Sequence, residues 1–228
     1  MLTALASFLF TGCCDECFLT APEQSRPPVF DGTKYFPLHN DNLWQYIVNG
    51  DQRHQLQIVI ADTQMWKDIV LYKMETRTTE IMPRFTFFNN LFRMGADTLY
   101  EYDYDTFIEQ GDLDKVSSLP WRMLNPLRVG DSLTVRPQRD LPSFGYFNWI
   151  IISTNSEVVT SLATYTNCLY LQLWYKGVTS MESFLVGEEY YAEGVGLVEF
   201  REHPFAAEPG DLGDITNVYR LSTIVLEN

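Results

Sequence analysis

The chain has 228 residues, which fits one large domain or two small ones, and its formal net charge is −14. A chain of this length can bury about 70% of its unfolded surface, so it does not need disulfide bonds to fold. The acidic residues are spread along the chain and argue against nucleic acid and anionic lipid surfaces as partners, because both attract Lys and Arg.

The N-terminus differs in composition from the rest of the chain. Residues 1–12 are apolar and uncharged, and they end in small residues before Cys13. They are too few for a membrane-spanning helix, which needs about 20 residues, but they suit the apolar region of a signal peptide. We therefore predict a signal peptide over residues 1–12.

The sequence LFTGC, from Leu9 to Cys13, resembles the lipobox of bacterial lipoproteins, although no Lys or Arg precedes it and Phe10 replaces the usual aliphatic residue. In that family the peptide is cut before the cysteine, which carries the lipid. The resemblance implies lipidation of Cys13, a membrane anchor at that residue, and a place in the bacterial cell envelope, at the outer membrane or in the periplasm. The alternatives are an ordinary secretory signal, which would give a secreted protein, and a buried N-terminal segment.

Residues 13–33 contain three prolines and little periodicity, which predicts an extended tether. Cys14 and Cys17 lie in this tether, where an oxidising compartment would allow them to pair. Cys168 lies in an apolar strand pattern and is predicted to be buried and inert. Because the three histidines are scattered singly, they supply no second group of ligands, and neither a metal site nor a cofactor is predicted.

Turn and alternation signals open the folded body, which is predicted to begin near Tyr35. A turn over residues 40–42 leads into a strand through Trp44 that ends at Asn49-Gly50, a strong hairpin signal. Residues 55–61 are predicted to return as the next strand.

The middle of the chain alternates less clearly. Residues 66–82 predict one long curved strand or two shorter ones, and a helix over residues 64–74 is an alternative. Residues 98–106 follow a strict period of two, which predicts a half-buried strand with a wet acidic face. One face would carry three tyrosines and the other three acidic residues: Tyr100, Tyr102 and Tyr104 against Glu101, Asp103 and Asp105.

The remaining pattern is rich in β-prone residues. Residues 112–131 are predicted to be irregular. Further strand candidates span residues 84–88, 91–94, 133–136, 144–153, 157–162, 166–176, 180–191, 197–203 and 218–226. Together these patterns predict an all-β fold, a curved antiparallel sheet or an open or half barrel of about twelve strands with little helix, in a single domain over residues 34–228.

A hairpin is predicted near the C-terminal end of the sheet. Residues 190–191 and 197–200 should be adjacent antiparallel strands, joined at residues 193–196. Gly194 or Gly196 should have a positive φ, since the residue between them is β-branched. Alternation predicts that Val198 and Phe200 face the core and that Glu199 is solvated.

Candidate catalytic side chains are few. Paired carboxylates serve glycosidases, and the pairs here are Asp103 with Asp105 and Glu188 with Glu189. All four are predicted to be solvated charges. His203 is the histidine best placed for hydrolase chemistry, although no nucleophile motif accompanies it.

Four separated segments resemble one pattern of uncharacterised bacterial secreted proteins and lipoproteins. Residues 35–46 are similar to Y-F-P-L-x-x-G-N-x-W-x-Y, 125–132 to P-L-x-V-G-x-S-W, 162–169 to A-G-T-F-x-N-C-L, and 190–198 to Y-Y-A-P-G-V-G-L-V. The chain departs from that pattern at four positions: Asp41, Leu133, Ala163 and Glu193. The resemblance implies a cell-envelope β-protein akin to the lipoprotein-carrier half-barrels, and it brings no catalytic residues.

Three functional hypotheses follow. The first is a non-catalytic binding or interaction module, with an apolar ligand held on the concave face of the sheet by aromatic side chains that the sequence does not single out. The second is a passive structural envelope protein with a protein partner. The third is a hydrolase of envelope glycans or lipids. A large apolar cavity would favour the first, and a filled interior with an exposed patch would favour a protein partner.

Overall fold

A computed structural model describes residues 29–78, 90–123, 127–135, 145–177, 182–203 and 216–227. In these residues twelve antiparallel strands form one sheet, which curls into a nearly closed barrel, and 9% is helical. The all-β prediction of about twelve strands is therefore confirmed. The strands are β1 Leu43–Val48, β2 Asp51–Trp66, β3 Ile69–Thr78, β4 Asn90–Met94, β5 Thr98–Asp103, β6 Ser118–Met123, β7 Ser132–Val135, β8 Tyr146–Val159, β9 Thr164–Lys176, β10 Ser183–Ala192, β11 Gly196–Glu202 and β12 Asn217–Val225.

The strands follow a simple order around the barrel. That order is β6-β5-β4-β3-β2-β1-β12-β11-β10-β9-β8-β7, so most neighbours are consecutive hairpins and β12 joins the two halves through β1 and β11. The end strands β6 and β7 approach each other and leave the seam at which the barrel almost closes. Closure protects strand edges that would otherwise pair with other chains.

Residues with left-handed backbone conformations set the first turns. Asn49 and Gly50 have φ values of 52° and 76°, which make the tight turn between β1 and β2. Lys67 has a φ of 53° and begins a second tight turn, between β2 and β3. The run from residue 66 therefore contains a turn followed by a strand, and the alternative helix over residues 64–74 is wrong.

The predicted strand over residues 98–106 is too long. β5 ends at Asp103, and helix α1, Tyr104–Gln110, begins there. The Asp103 carboxylate accepts a hydrogen bond of 2.8 Å from the backbone N–H of Thr106, as an N-cap residue does, and Gly111 ends the helix with a φ of 62°. The alternation of tyrosines and acidic residues continues into α1, so it gave no sign of the strand's end. The helix start depends on the single N-cap side chain of Asp103, which does not interrupt that alternation.

Other boundaries also moved. The candidates at residues 144–153 and 157–162 are one strand, β8, whose ladder with β9 is interrupted by register shifts between Ile151 and Val158. The stretch over residues 112–131, predicted to be irregular, contains β6 and a 3₁₀ helix, Leu113–Lys115. A further 3₁₀ helix spans Gly32–Tyr35. The candidate at residues 84–88 lies outside the described residues, as do Cys13 and its tether up to residue 28.

The main core fills the barrel. It is built from side chains of β1–β5 and β8–β12 and is rich in aromatic residues, among them Phe36, Trp44, Tyr46, Phe92, Tyr191, Phe200 and Tyr219. A smaller apolar cluster lies outside the barrel wall, where α1 and the following 3₁₀ helix pack on β3–β5 through Leu71, Leu91, Tyr102, Leu113 and Val116. None of the described helices has the length and apolarity required to cross a membrane.

Candidate functional site

The predicted hairpin is present. β10 and β11 pair antiparallel, with Tyr190 opposite Glu199 and Ala192 opposite Gly196. Both glycines have positive φ, 71° at Gly194 and 94° at Gly196. The hairpin is fixed to β1 because the Trp44 Nε1–H donates a 2.6 Å hydrogen bond to the carbonyl oxygen between the two glycines.

One expectation about this hairpin is wrong. Glu199 is only 2% exposed, although it was predicted to be solvated. Its carboxylate accepts hydrogen bonds of 2.6 Å from Arg201 Nε and 2.7 Å from Arg220 Nε. Val198 and Phe200 are buried as predicted. Strand alternation predicted a solvent-facing carboxylate at Glu199. The hydrogen bonds and charges of the two neighbouring arginines offset the free-energy cost of burying it.

Glu189 is the centre of a buried polar group inside the barrel. It is fully buried, and Arg122, on β6, is 2% exposed. Arg122 Nη2 lies 2.6 and 2.7 Å from the two carboxylate oxygens of Glu189, and the Tyr191 hydroxyl donates to the same carboxylate over 2.9 Å. The Arg122 guanidinium also lies over the Trp149 ring, 4.5 Å from its centroid. The prediction that Glu189 is solvated is therefore wrong.

Glu101 belongs to the same interior cluster, which we define as Glu101, Arg122, Glu189 and Tyr191. Glu101 lies opposite Phe92 of the core in the β4–β5 ladder, so its side chain points into the barrel. Burial raises the pKa of this carboxyl, and a hydrogen bond from Asn90 and the charge of Arg122 oppose that rise only in part. Glu101 therefore does not belong to a wet acidic face, while Asp103 caps α1 and Asp105 is exposed.

Glu188 points to the other face of β10 and begins a second group. This outer cluster comprises Tyr170, Glu188, Tyr190, Arg201 and His203. His203 Nε2 lies 3.0 Å from Glu188 Oε2, and the Tyr170 hydroxyl donates to Glu188 Oε1. Tyr170 and Tyr190 stack in parallel with centroids 4.6 Å apart, and Arg201 lies 4.8 Å from the Tyr190 centroid.

The outer cluster is bonded within itself. Although burial raises the pKa of Glu188, the hydrogen bonds from His203 and Tyr170 and the charge of Arg201 hold it below the ordinary value. Glu188 is buried, so the expectation of a solvated charge is wrong here too. The structure thus unites two residues that the sequence singled out separately, Glu188 and His203. The sequence analysis did not identify Tyr170 of β9 and Arg201 of β11 as members of this cluster, although strand alternation could have placed each on one face of its strand.

Among the described residues, neither a reactive cysteine nor a group of metal ligands accompanies the two clusters. Cys168 is buried and free, and burial raises the pKa of its thiol to about 11, which agrees with the prediction of an inert cysteine. Across the described parts of the chain, no three His, Cys, Asp or Glu side chains are grouped closely enough to hold a metal ion.

Two cavities lined by core residues of the described chain are small. One, of about 10 Å³, lies beside Arg122, Trp149 and Leu171. Another, of about 30 Å³, lies between the Gly32–Tyr35 end of the barrel and Met74. Small-molecule sites usually have volumes of about 300–1,000 Å³, so each of these spaces holds water at most.

No protein-family model matches the chain, and no curated protein matches it significantly. Two solved structures are similar to it. One is a candidate lipoprotein from Parabacteroides distasonis ATCC 8503, with 12% identity and a TM-score of 0.46 over 84% of this chain and 98% of that one. The other is a candidate exported protein with a YmcC-like fold from Bacteroides fragilis NCTC 9343, with 12% identity and a TM-score of 0.44 over 83% and 98%. Neither similarity assigns a function.

Proposed function

We propose that the protein is a non-catalytic interaction module of the bacterial cell envelope, anchored through lipid on Cys13, that binds a protein partner with the outside of its barrel. The anchor is supported by the apolar residues 1–12 and by the lipobox-like sequence before Cys13. The location at the outer membrane or in the periplasm is part of the same proposal.

The dense packing of the barrel interior is the observation that favours a protein partner over an apolar ligand. Aromatic side chains and the Arg122–Glu189 pair occupy the space that a carrier of apolar ligands would leave open. The two cavities lined by these core residues have volumes of about 10 and 30 Å³. A folded protein with a filled interior can bind a large ligand only with its outer surface.

The two other hypotheses have less support. Carriage of an apolar ligand would require part of the aromatic core to move aside, at a cost in buried area. Hydrolysis rests only on the Glu188–His203 pair, in which Glu188 also binds the Tyr170 hydroxyl, and such a pair still needs a nucleophile beside the histidine.

Photo-crosslinking in the native cells tests the proposal. A photoreactive phenylalanine analogue would be placed singly at exposed apolar positions around the barrel: Met65, Val70, Val129, Val159 and Leu162. We expect adducts of one discrete mass from the positions on one side of the barrel, and none from Leu221, which is buried and serves as the control. Absence of protein adducts at all five exposed positions would contradict a protein partner.

A further inference from the structure

The ladder between β3 and β4 stops before either strand does. Its pairs are Tyr72–Phe92, Lys73–Leu91 and Met74–Asn90. β3 begins three residues earlier, at Ile69, and β4 continues two residues further, to Met94. Within the described residues, these two stretches face each other without pairing, so the barrel wall opens there as a wedge.

Each strand that borders the wedge is paired with another strand on its far side. Ile69, Val70 and Leu71 pair with Trp66, Met65 and Gln64 of β2. Arg93 and Met94 pair with Tyr100 and Leu99 of β5. The opening is therefore a break between two paired hairpins, and each hairpin presents a short strand edge that the β3–β4 ladder leaves unpaired.

The wedge contains a cleft of about 390 Å³, which is within the usual range for a binding site. Part of its lining is apolar, with Ile69 and Val70 on one side and Met94 on the other. Val70 is 40% exposed, and its pair partner Met65 is 67% exposed, so an apolar strip continues from the cleft onto the surface. Exposed apolar side chains beside an unpaired strand edge are a combination that proteins generally avoid unless something binds there.

Two opposite charges line the same cleft. The Arg93 guanidinium lies over the Tyr100 ring, 4.9 Å from its centroid, and no carboxylate of the described residues is within ion-pair distance of it. This is unusual in a chain with a net charge of −14. Asp68 lies on the β3 side of the cleft. An occupant that matches both walls therefore carries a carboxylate for Arg93 and a basic group for Asp68.

We propose that this wedge, the cleft between Ile69–Leu71 and Arg93–Gly95, is a strand-addition site for an extended segment of a protein partner that carries one acidic and one basic side chain. The inference rests on the proposed function and specifies where the partner binds. The segment would pair its backbone with the free edge of β3 or β4, place β-branched side chains against Val70 and Met94, and pair its carboxylate with Arg93.

The probe is a defined peptide. The acetylated and amidated heptapeptide TVEVKVT combines strand propensity with both charges, and TVEPKVT serves as its control because proline removes a backbone donor and disrupts strand pairing. Both would be titrated into the isotope-labelled full-length protein in detergent micelles, with backbone amide chemical shifts as the readout. We expect saturable shifts confined to Ile69–Leu71 and Arg93–Gly95 for the first peptide and a loss of at least about fivefold in affinity for the second.

Protein variants distinguish specific peptide binding, which depends on Arg93 and Asp68, from weak non-specific binding. Arg93→Gln should weaken TVEVKVT binding by about tenfold, and Arg93→Lys should restore part of it, because a charge-assisted hydrogen bond is stronger than a neutral one. Asp68→Asn should weaken binding by a smaller factor. Arg53→Gln, at an exposed arginine on β2, should leave it unchanged.

Several results would overturn the strand-addition site: no shifts at millimolar peptide, equal binding of the proline peptide, equal binding by Arg93→Gln, or equally tight binding of glutarate, which would indicate a small-anion site. These failures are distinguishable from failure of the proposed function. Crosslinks at Val129, Val159 or Leu162 without peptide binding would keep the interaction module and move its binding surface away from the wedge.

Discussion

Arg122 on β6 pairs with Glu189 on β10 across the seam of the barrel, with its Nη2 atom 2.6 and 2.7 Å from the two carboxylate oxygens. β6 and β7 are the ends of the sheet, and β10 is reached from β7 through β8 and β9. The pair therefore joins an end strand to the opposite half of the sheet from inside, where both side chains are buried. We expect it to hold the barrel nearly closed, and it occupies the space in which a ligand would lie.

Arg122→Met should destabilise the protein by about 3–5 kcal/mol, because it leaves the buried Glu189 carboxylate without its counter-charge. The double variant Arg122→Met/Glu189→Leu should recover a large part of that loss, since no charge remains to be buried. Urea denaturation of the two variants measures the difference.

The control for this pair is Asp114→Asn, which breaks the exposed ion pair with Lys67 and should change stability by less than about 1 kcal/mol. Equal stability of wild type and Arg122→Met would show that the pair does not hold the barrel.

The two hairpin glycines should differ in their tolerance of substitution. A Cβ at Gly194 would meet no atom within 4 Å, whereas a Cβ at Gly196 would lie 3.2 Å from Trp44 Nε1 and 3.4 Å from its Cε2. Valine at either position has to adopt a positive φ, at about 1–3 kcal/mol. Gly196→Val should cost more than Gly194→Val because it also crowds the indole, and thermal unfolding of both variants gives the order. An unchanged melting temperature in both would mean that the hairpin does not organise this part of the sheet.

Glu101→Gln should stabilise the protein at neutral pH. Burial raises the pKa of Glu101 above its ordinary value of 4.5, so the fold favours the protonated carboxyl. The favourable contribution is complete below about pH 4.5 and is lost as pH rises through the raised pKa, when the buried group ionises. The stability advantage of Glu101→Gln should therefore grow from pH 4 to pH 7, as measured by urea denaturation at each pH.

Glu75→Gln is the matched control, and its stability relative to wild type should depend on pH in the opposite direction. Hydrogen bonds from Lys73 and Arg77 lower the pKa of Glu75, so its stabilising contribution is present above the ordinary value of 4.5 and is lost as pH falls through the lowered pKa. This variant should be less stable than wild type at pH 7, and the gap should narrow in acid. The interpretation of Glu101 fails if its variant shows the same pH trend as Glu75→Gln.

Cys168 should be protected from alkylation in the folded protein. With a pKa of about 11, only about a thousandth of this thiol is thiolate at pH 8, and the side chain is buried. Peptide-level mass spectrometry after iodoacetamide treatment should show modification at Cys168 only after unfolding. Labelling at Cys168 in the native protein, at the rate of an exposed thiol, would contradict its place in the core.

Cys13→Ser should release the protein from the membrane fraction. One acyl chain gives marginal membrane binding, and two or more anchor a protein stably. Fractionation of cells that produce wild type and variant, with mass spectrometry of the mature N-terminus, measures both anchoring and cleavage. A variant that stays in the membrane, together with uncleaved wild type, would exclude the lipid anchor.

The sequence predicted features that depend on neighbouring residues. Asn49-Gly50 specified its turn because both residues accept positive φ, and the same reason made Gly194 and Gly196 recognisable. It did not predict the burial of Glu189, because the partner that makes burial tolerable is 67 residues away in the chain. The burial of Glu188, Glu199 and Glu101 was missed because alternation describes only which face a side chain takes, while a donor on another strand decides whether that face is wet.

Native mass spectrometry of the protein, extracted gently from its own cells, tests most directly whether the barrel works through its outer surface. We expect the mass of the lipidated polypeptide, alone or with a protein partner, and no small apolar molecule released on unfolding. A stoichiometric small molecule retained by the folded barrel would contradict it, because the core around the Arg122–Glu189 pair would then have to open for a ligand.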